Sequence, residues 1–321
     1  RMLPMSTPFA PSRPLGRTGL TISPLCLGGN VFGWTADRDT SFAVMDAYVG
    51  AGGNFIDTAD VYSEWVPGNT GGDSEKIMGE WLASRGNREQ VLIATKVAKF
   101  SQVKGLAPDT IRSAVDGSLA RLQTDYIDLY YAHEDDPSVP IEDVLGTFAE
   151  LIAAGKIRHI AASNFTADRL RESLEISEAQ GLPSYIAVQN HYNLMERHGY
   201  EADFEPIVLE HGLSSLPYYS LARGFLTGKY KPGVTIDSPR AKGAEAYIGE
   251  RGDRVLSALE RISATHGAPM GAVALAWLLT RPGIAAPLAS ARNLEQFEAL
   301  LPMATVGLSA AEVDELTAAS D

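Results

Sequence analysis

Cysteine is almost missing from this chain of 321 residues: there is one, Cys26. An internal disulfide is thereby excluded, and the composition suits a reducing, cytoplasmic setting. Between Leu25 and Leu27, Cys26 reads as a small buried hydrophobe in an early strand. Positive charge is also in short supply, 27 Lys and Arg against 40 Asp and Glu for a formal net charge of −13. A nucleic-acid partner, which needs a basic face to displace counterions, is not expected. An anionic ligand must then meet a local positive patch. Long apolar runs are lacking too: the longest, residues 273–279, is far below the ~20 that cross a bilayer, so no membrane partner is expected. Residues 1–14 are proline-rich, have no apolar core of a secretion signal, and read as a flexible N-terminal segment. Neither H-E-x-x-H nor a paired H-x-H occurs, and the adjacent residues of His133-Glu134-Asp135-Asp136 rarely converge, so no metal is expected. No G-x-S-x-G elbow supports a serine hydrolase.

What is present is alternation. Residues 15–23 are turn-rich, with Gly16 and Gly19 spaced for a tight hairpin. Strand candidates follow at 25–27, 54–56, 91–95, 127–131, 157–162, 185–188, 213–216 and 284–288. Helical patterns occupy 39–51, 74–83 with Ser74 as N-cap, 108–122, 141–154 and 167–180, and later 253–265, 270–280 and the stretches from 294 and 309. A long connection rich in glycine and basic residues covers 219–252. Strands separated by crossover helices must be parallel. Eight such units predict a closed (β/α)8 TIM barrel, a single domain over 1–321 with a short N-terminal β-hairpin. A doubly wound open sheet is the alternative, weakened by the absence of any G-x-G-x-x-G.

In such a barrel the site lies at the C-terminal ends of the strands, where Asp57, Lys96 and His133 meet together with Tyr62. Taken singly, Asp57 reads as a turn cap and Tyr62 as a packed ring. Together their chemistry is complementary. A phenol with pKa ~10 is a poor proton donor at neutral pH, and a nearby ammonium at Lys96 is expected to lower it. Asp57 would keep a buried Lys96 charged, and His133 would orient a substrate oxygen by a hydrogen bond. Trp34 and Trp65, on loops beside this site, read either as pocket walls for an apolar substrate or as core anchors. Between Arg223 and Lys242 there are five basic residues (Arg223, Lys229, Lys231, Arg240, Lys242) opposed only by Asp237, which makes either an anion site or a solvated loop.

Several stretches, in this order and spacing, resemble the aldo-keto reductases. They are Asn54-Phe55-Ile56-Asp57-Thr58-Ala59-Asp60-Val61-Tyr62, Asp73-Ser74-Glu75-Lys76-Ile77-Met78-Gly79, Ala94-Thr95-Lys96-Val97 and Leu129-Tyr130-Tyr131-Ala132-His133. Gly155-Lys156-Ile157-Arg158, Ser163-Asn164-Phe165, Gln189-Asn190 and Leu221-Ala222-Arg223-Gly224-Phe225-Leu226-Thr227-Gly228-Lys229-Tyr230 continue the match. The resemblance implies hydride transfer between NADPH, with NADH as a possible substitute, and an aldehyde or ketone, or the reverse alcohol oxidation. It places the four catalytic positions on Asp57, Tyr62, Lys96 and His133, with Tyr62 as the general acid and base. By the same resemblance Ser163, Asn164 and Gln189 hold the carboxamide, and Tyr218 stacks on the nicotinamide ring. Lys229 and Arg240 meet the pyrophosphate or adenosine phosphate, Arg223 is a further cofactor contact, and Ser290, Arg292 and Gln296 surround the ribose 2′-phosphate and adenine. Gly29, Asn30, Asp57, Tyr219, Ser220, Leu221 and Gly224 complete the implied cofactor contacts. Two departures stand out. Tyr219-Ser220 replaces a common Ser-Pro, and Ala299-Leu300 replaces a common Glu-Asn pair. Channel β-subunits resemble enzymes of this family without rapid turnover, so a regulatory, redox-sensing module is the second reading. A barrel lyase or hydrolase reusing the Lys96 amine is the third.

Overall fold

The computed structural model describes residues 7–321, so residues 1–6 of the expected flexible segment lie outside the described residues. From Thr7 onward that segment is anchored rather than free. Phe9 is fully buried with its amide donating to Ala51 O, and the Arg13 guanidinium donates to the carbonyls of Leu279, Ile284 and Ala285. The hairpin strands β1 (Arg13–Pro14) and β2 (Thr21–Ile22) pair antiparallel. Between them Gly16 has φ +51°, and a Cβ there would sit 2.6 Å from Ile186 O. Only glycine both adopts that turn and lets the hairpin press against the barrel floor.

Eight parallel strands follow: β3 (Cys26–Gly28), β4 (Phe55–Asp57), β5 (Leu92–Val97), β6 (Ile127–Ala132), β7 (Ile157–Ser163), β8 (Tyr185–Gln189), β9 (Ser214–Ser215) and β10 (Leu288–Ala289). They pair in chain order, and β10 returns to β3. The ring closes between its last two strands. Ser215 N donates to Gly283 O, Ala285 N to Ser215 O and Leu288 N to Pro217 O. The barrel expected from the alternation is therefore the one formed.

Around it lie α1 (Arg38–Gly50), α2 (Asp73–Arg85), α3 (Pro108–Leu122), α4 (Ile141–Ala153), α5 (Ala167–Gln180), α6 (Glu205–His211), α7 (Ala241–Glu245), α8 (Glu250–His266), α9 (Met270–Leu279), α10 (Leu294–Glu298) and α11 (Ala310–Ala319). Local chemistry sets several ends. Pro108 opens α3, a left-handed Gly181 stops α5, and Ser309 with Glu312 forms a capping box on α11. Three expectations are corrected. Ser74 does not cap α2; Gly72 does, because the Ser74 hydroxyl is committed to Gly29 O at 2.6 Å and Thr58 Oγ1 at 2.8 Å. The last strand is shorter than 284–288, with Ile284 making only an isolated bridge to Ser215. Within the long connection after Tyr219 lies α7, a helix the sequence pattern does not announce.

Side-chain parity divides the strands into two layers. Leu27, Ile56, Ile93, Tyr130, Ala162 and Val188 face outward into the sheet–helix core. Cys26, Phe55, Ala94, Leu129, Tyr131, Ala161 and Ala187 fill the barrel interior. Small alanines beside Phe55 and Tyr131 let that interior close-pack. Among the described residues, no single helix is long and apolar enough to cross a membrane.

Candidate active site

The same parity that puts Phe55, Ala94 and Ala187 inside the barrel sends the residue two further on, Asp57, Lys96 and Gln189, into its mouth. There Lys96 Nζ donates to Asp57 Oδ2 at 2.5 Å, Thr58 O at 2.8 Å and Tyr62 OH at 2.8 Å. Asp57 Oδ1 accepts from Gln189 Nε2 at 3.2 Å. The ammonium also lies 4.6 Å from the Tyr62 ring centroid and 5.4 Å from that of Tyr131. His133, just past β6, presents its ring edge-on to Tyr62 with centroids 5.9 Å apart, and its Nδ1 is buried without a partner among the described residues. Asp57 and Tyr62 gather on the Lys96 ammonium and His133 lies against the Tyr62 ring, so the four residues come together.

Protonation follows from burial and neighbours. Burial works against the charge on Lys96, but Asp57 and Tyr62 outweigh it, and the pKa of the ammonium is raised. For the phenol the balance runs the other way. Burial pushes Tyr62 up to about 12 despite the opposing pull of Lys96, which corrects the expectation of a lowered value. Tyr62 thus keeps its proton at neutral pH. Burial, with Lys96 and Lys99 adding to it, pushes His133 well below the ordinary imidazole value, so the ring is neutral.

The loop carrying Tyr62 is latched on several sides. Ser74 ties Thr58 to Gly29 O, Gly29 N donates to Asp57 O, and Asp60 O accepts from Gly72 N. Ser63 adopts φ +68°, and its hydroxyl donates to Phe32 O at 2.7 Å. Asn69 Nδ2 donates to both Ser63 O and Gly33 O. Sequence reasoning missed Ser63 and Asn69, and it missed Asp60, whose buried carboxyl has no hydrogen-bond partner among the described residues. A left-handed backbone at a serine leaves no compositional signal.

On the far side of the mouth, Ser163 ends β7 and Asn164 follows at φ +53°. Asn164 Nδ2 donates to His133 O at 2.8 Å, while its Oδ1 accepts from Tyr218 OH at 3.2 Å. Tyr218 stacks on His191, centroids 5.5 Å apart and planes 16° from parallel. Ser220 is turned inward with its hydroxyl donating to Pro217 O, and Leu221 packs toward the core. Asn30 lies partly exposed beside Gly28 and Gly29 at the end of β3.

Next to this shelf is a pocket lined by Trp34, Arg223, Gly224, Lys229, Arg240, Ser290, Arg292 and Gln296. Arg240 Nη2 donates to Ser290 Oγ, and Gln296 accepts from Arg292 N. None of the four cations forms an ion pair among the described residues, and burial together with Arg292 and Arg223 lowers the Arg240 pKa. Four cations and no carboxylate line this pocket, an arrangement that could hold an anion such as the phosphates of a dinucleotide. Lys231 and Lys242, the other basic residues of this stretch, are not in the lining. Ala299 is exposed and Leu300 buried in the core, so neither supplies a polar contact there. Trp34 meets Trp65 edge to face at 5.4 Å, and Trp65 is 50% exposed, which excludes it as a core anchor.

Comparison with known proteins gives a consistent picture. The sequence profile described as the aldo/keto reductase family matches residues 24–321. The chain is 34% identical to a norsolorinic acid reductase of Emericella nidulans, covering 93% of this chain and 78% of that protein. It is 33% identical to an uncharacterized oxidoreductase of Bacillus subtilis, covering 92% and 91%. It is also 31% identical to a probable voltage-gated potassium channel β-subunit of Oryza sativa subsp. japonica, covering 88% and 87%.

Proposed function

The chain belongs to the aldo/keto reductase family, an oxidoreductase family that uses pyridine nucleotides, and from that premise we propose that it reduces an aldehyde or ketone with NADPH. The bound dinucleotide would supply the hydride. This chain's own residues do the rest. Tyr62 gives its proton to the carbonyl oxygen, and Lys96 stabilises the phenolate left behind. Asp57 holds Lys96 charged, and His133, neutral, hydrogen-bonds the same oxygen and orients it. In the alcohol-oxidising direction the same groups act in reverse.

Tyr218 offers its flat ring to the nicotinamide. Asn164, already fastened to His133 O and Tyr218 OH, fixes that ring beside the reacting carbon together with Ser163 and Gln189. Arg223, Lys229 and Arg240 take the pyrophosphate and adjacent phosphate oxygens, and Arg292 with Ser290 and Gln296 takes the 2′-phosphate end. The single observation that carries this reading is the Lys96 ammonium shared at 2.5 Å by Asp57 and at 2.8 Å by Tyr62. The test is steady-state loss of reduced-nicotinamide absorbance over a panel of aldehydes and ketones, with alcohols run in reverse. Likeness to the channel β-subunit of rice favours a second reading, a module that holds the cofactor and signals its redox state. Tight NADPH binding with no multiple turnover across the panel would select that second reading.

A further inference from the structure

Arg223 forms no ion pair among the described residues, and its side chain packs against both Tyr219 and Gly243. Its guanidinium carbon sits 4.6 Å from the centroid of the Tyr219 ring. Gly243 of α7 also lies against it, so close that a Cβ built there would be 2.4 Å from Arg223 Cδ and 2.6 Å from Nη1. No carboxylate takes part. An aromatic face holds a guanidinium in place while its in-plane N–H groups stay available to a ligand.

Tyr219 is itself braced to do this. It has φ +50°, a conformation uncommon for a residue with a side chain, and Ala222 and Arg223 share it at +50° and +60°. Such backbone persists only where the surroundings fix it. Asn193 Nδ2 donates to Tyr219 O at 2.8 Å. The Tyr219 ring meets Tyr218 at 5.1 Å and His191 at 5.4 Å, both edge to face.

We propose that Tyr219 and Gly243 form a clamp that presents the Arg223 guanidinium to the pyrophosphate of the dinucleotide. They are positioning residues and act through Arg223. This rests on the reading of Arg223 as a phosphate ligand. Tyr219 is therefore not equivalent to a serine at the same place in related chains: the ring supplies a surface that a small residue does not.

The experiment is a set of dissociation constants for NADPH and for ADP-ribose, which carries the pyrophosphate without the nicotinamide. It compares the wild type with Y219S, Y219F, G243A, R223A and the double variant Y219S/R223A. Y219S should weaken both ligands about two- to fivefold, the range of a partly exposed cation–aromatic contact. Y219F, which keeps the ring, should restore wild-type values. G243A should weaken both ligands by displacing the side chain. In the R223A background Y219S should have no further effect. If R223A leaves both constants unchanged, the phosphate-ligand reading fails first. If R223A weakens binding but Y219S keeps its full effect in that background, or weakens NADPH alone, the clamp is overturned. G243A binding like wild type overturns it independently, should Y219S not fold.

Discussion

Lys96 Nζ lies 2.8 Å from the phenol oxygen of Tyr62 and donates to it. The other two ammonium protons go to Asp57 Oδ2 and Thr58 O. A lysine ammonium has three donors, and all three are used. Tyr62 must therefore accept from Lys96, which leaves its own proton free to be given away. Replacing Tyr62 with Phe removes that proton and little else. The expected result is a fall in kcat of ~10²–10⁴-fold with the NADPH dissociation constant near the wild-type value. Stopped-flow or steady-state rates measured beside a fluorescence binding titration check this, and near-normal turnover would remove Tyr62 from the role of donor.

The same cation is a stability element. Lys96 and Asp57 are both buried, and removing one leaves the other uncompensated. Lys96→Met should cost about 3–5 kcal/mol in urea unfolding, as well as abolishing activity. Adding Asp57→Asn to Lys96→Met should recover part of that loss, because the stranded carboxylate is gone. A double variant no more stable than Lys96→Met would mean that the cost arises from packing and not from charge.

The barrel and the four central residues were legible in the chain because both depend on short-range pattern. The apolar pair Phe55-Ile56 runs into Asp57 and the stretch 91–95 into Lys96, and strand parity then fixes which way those side chains point. What holds Tyr62 in place was not legible. Ser63, Ala98 and Tyr219 adopt positive φ without being glycine or asparagine, and no residue type in the sequence marks them. Ser74 looked like a helix cap since serine before an apolar repeat usually is one, but tertiary contacts with Gly29 and Thr58 claim its hydroxyl. The Tyr62 pKa was misjudged for a related reason. Lys96 does pull it down, but sequence gives no measure of burial, and burial wins.

Asp60 makes a prediction about pH. Its carboxyl is buried and unpartnered among the described residues. Burial first, then Glu75, push its pKa up to about 8, against the opposing effects of Arg121, the Val61 backbone N–H and Lys96. In the unfolded chain the value is ~3.9. Between these limits the folded state holds a proton that the unfolded state has released. Stability from this group is then complete below ~4 and falls as pH rises toward 8, by at most about 1.4 kcal/mol per pH unit. Asp60→Asn should lack that dependence. Thermal melts from pH 5 to pH 9 should show the variant gaining on the wild type up to about pH 8 and then running parallel to it. Parallel curves throughout would show that Asp60 is already ionised at pH 5.

Arg292 should decide between the two nicotinamide dinucleotides. It lines the cationic pocket with Arg240, Ser290 and Gln296, and its backbone amide donates to Gln296 Oε1 at 3.1 Å. Because that bond uses the main chain, the guanidinium has no hydrogen bond or ion pair among the described residues. A phosphate dianion pairs with a guanidinium through charge-assisted hydrogen bonds, typically about 1.5–3 kcal/mol, whereas a ribose hydroxyl gains far less from it. Arg292→Ala is therefore expected to raise the NADPH dissociation constant by roughly 10–100-fold and to change that of NADH by little. The same variant should also flatten the salt dependence of NADPH binding, since one cation fewer meets the ligand. Isothermal titrations of both dinucleotides at two ionic strengths measure both effects. Equal weakening of NADPH and NADH would place the guanidinium on the pyrophosphate that the two cofactors share, leaving the 2′-phosphate to Arg240 or to no residue of this pocket.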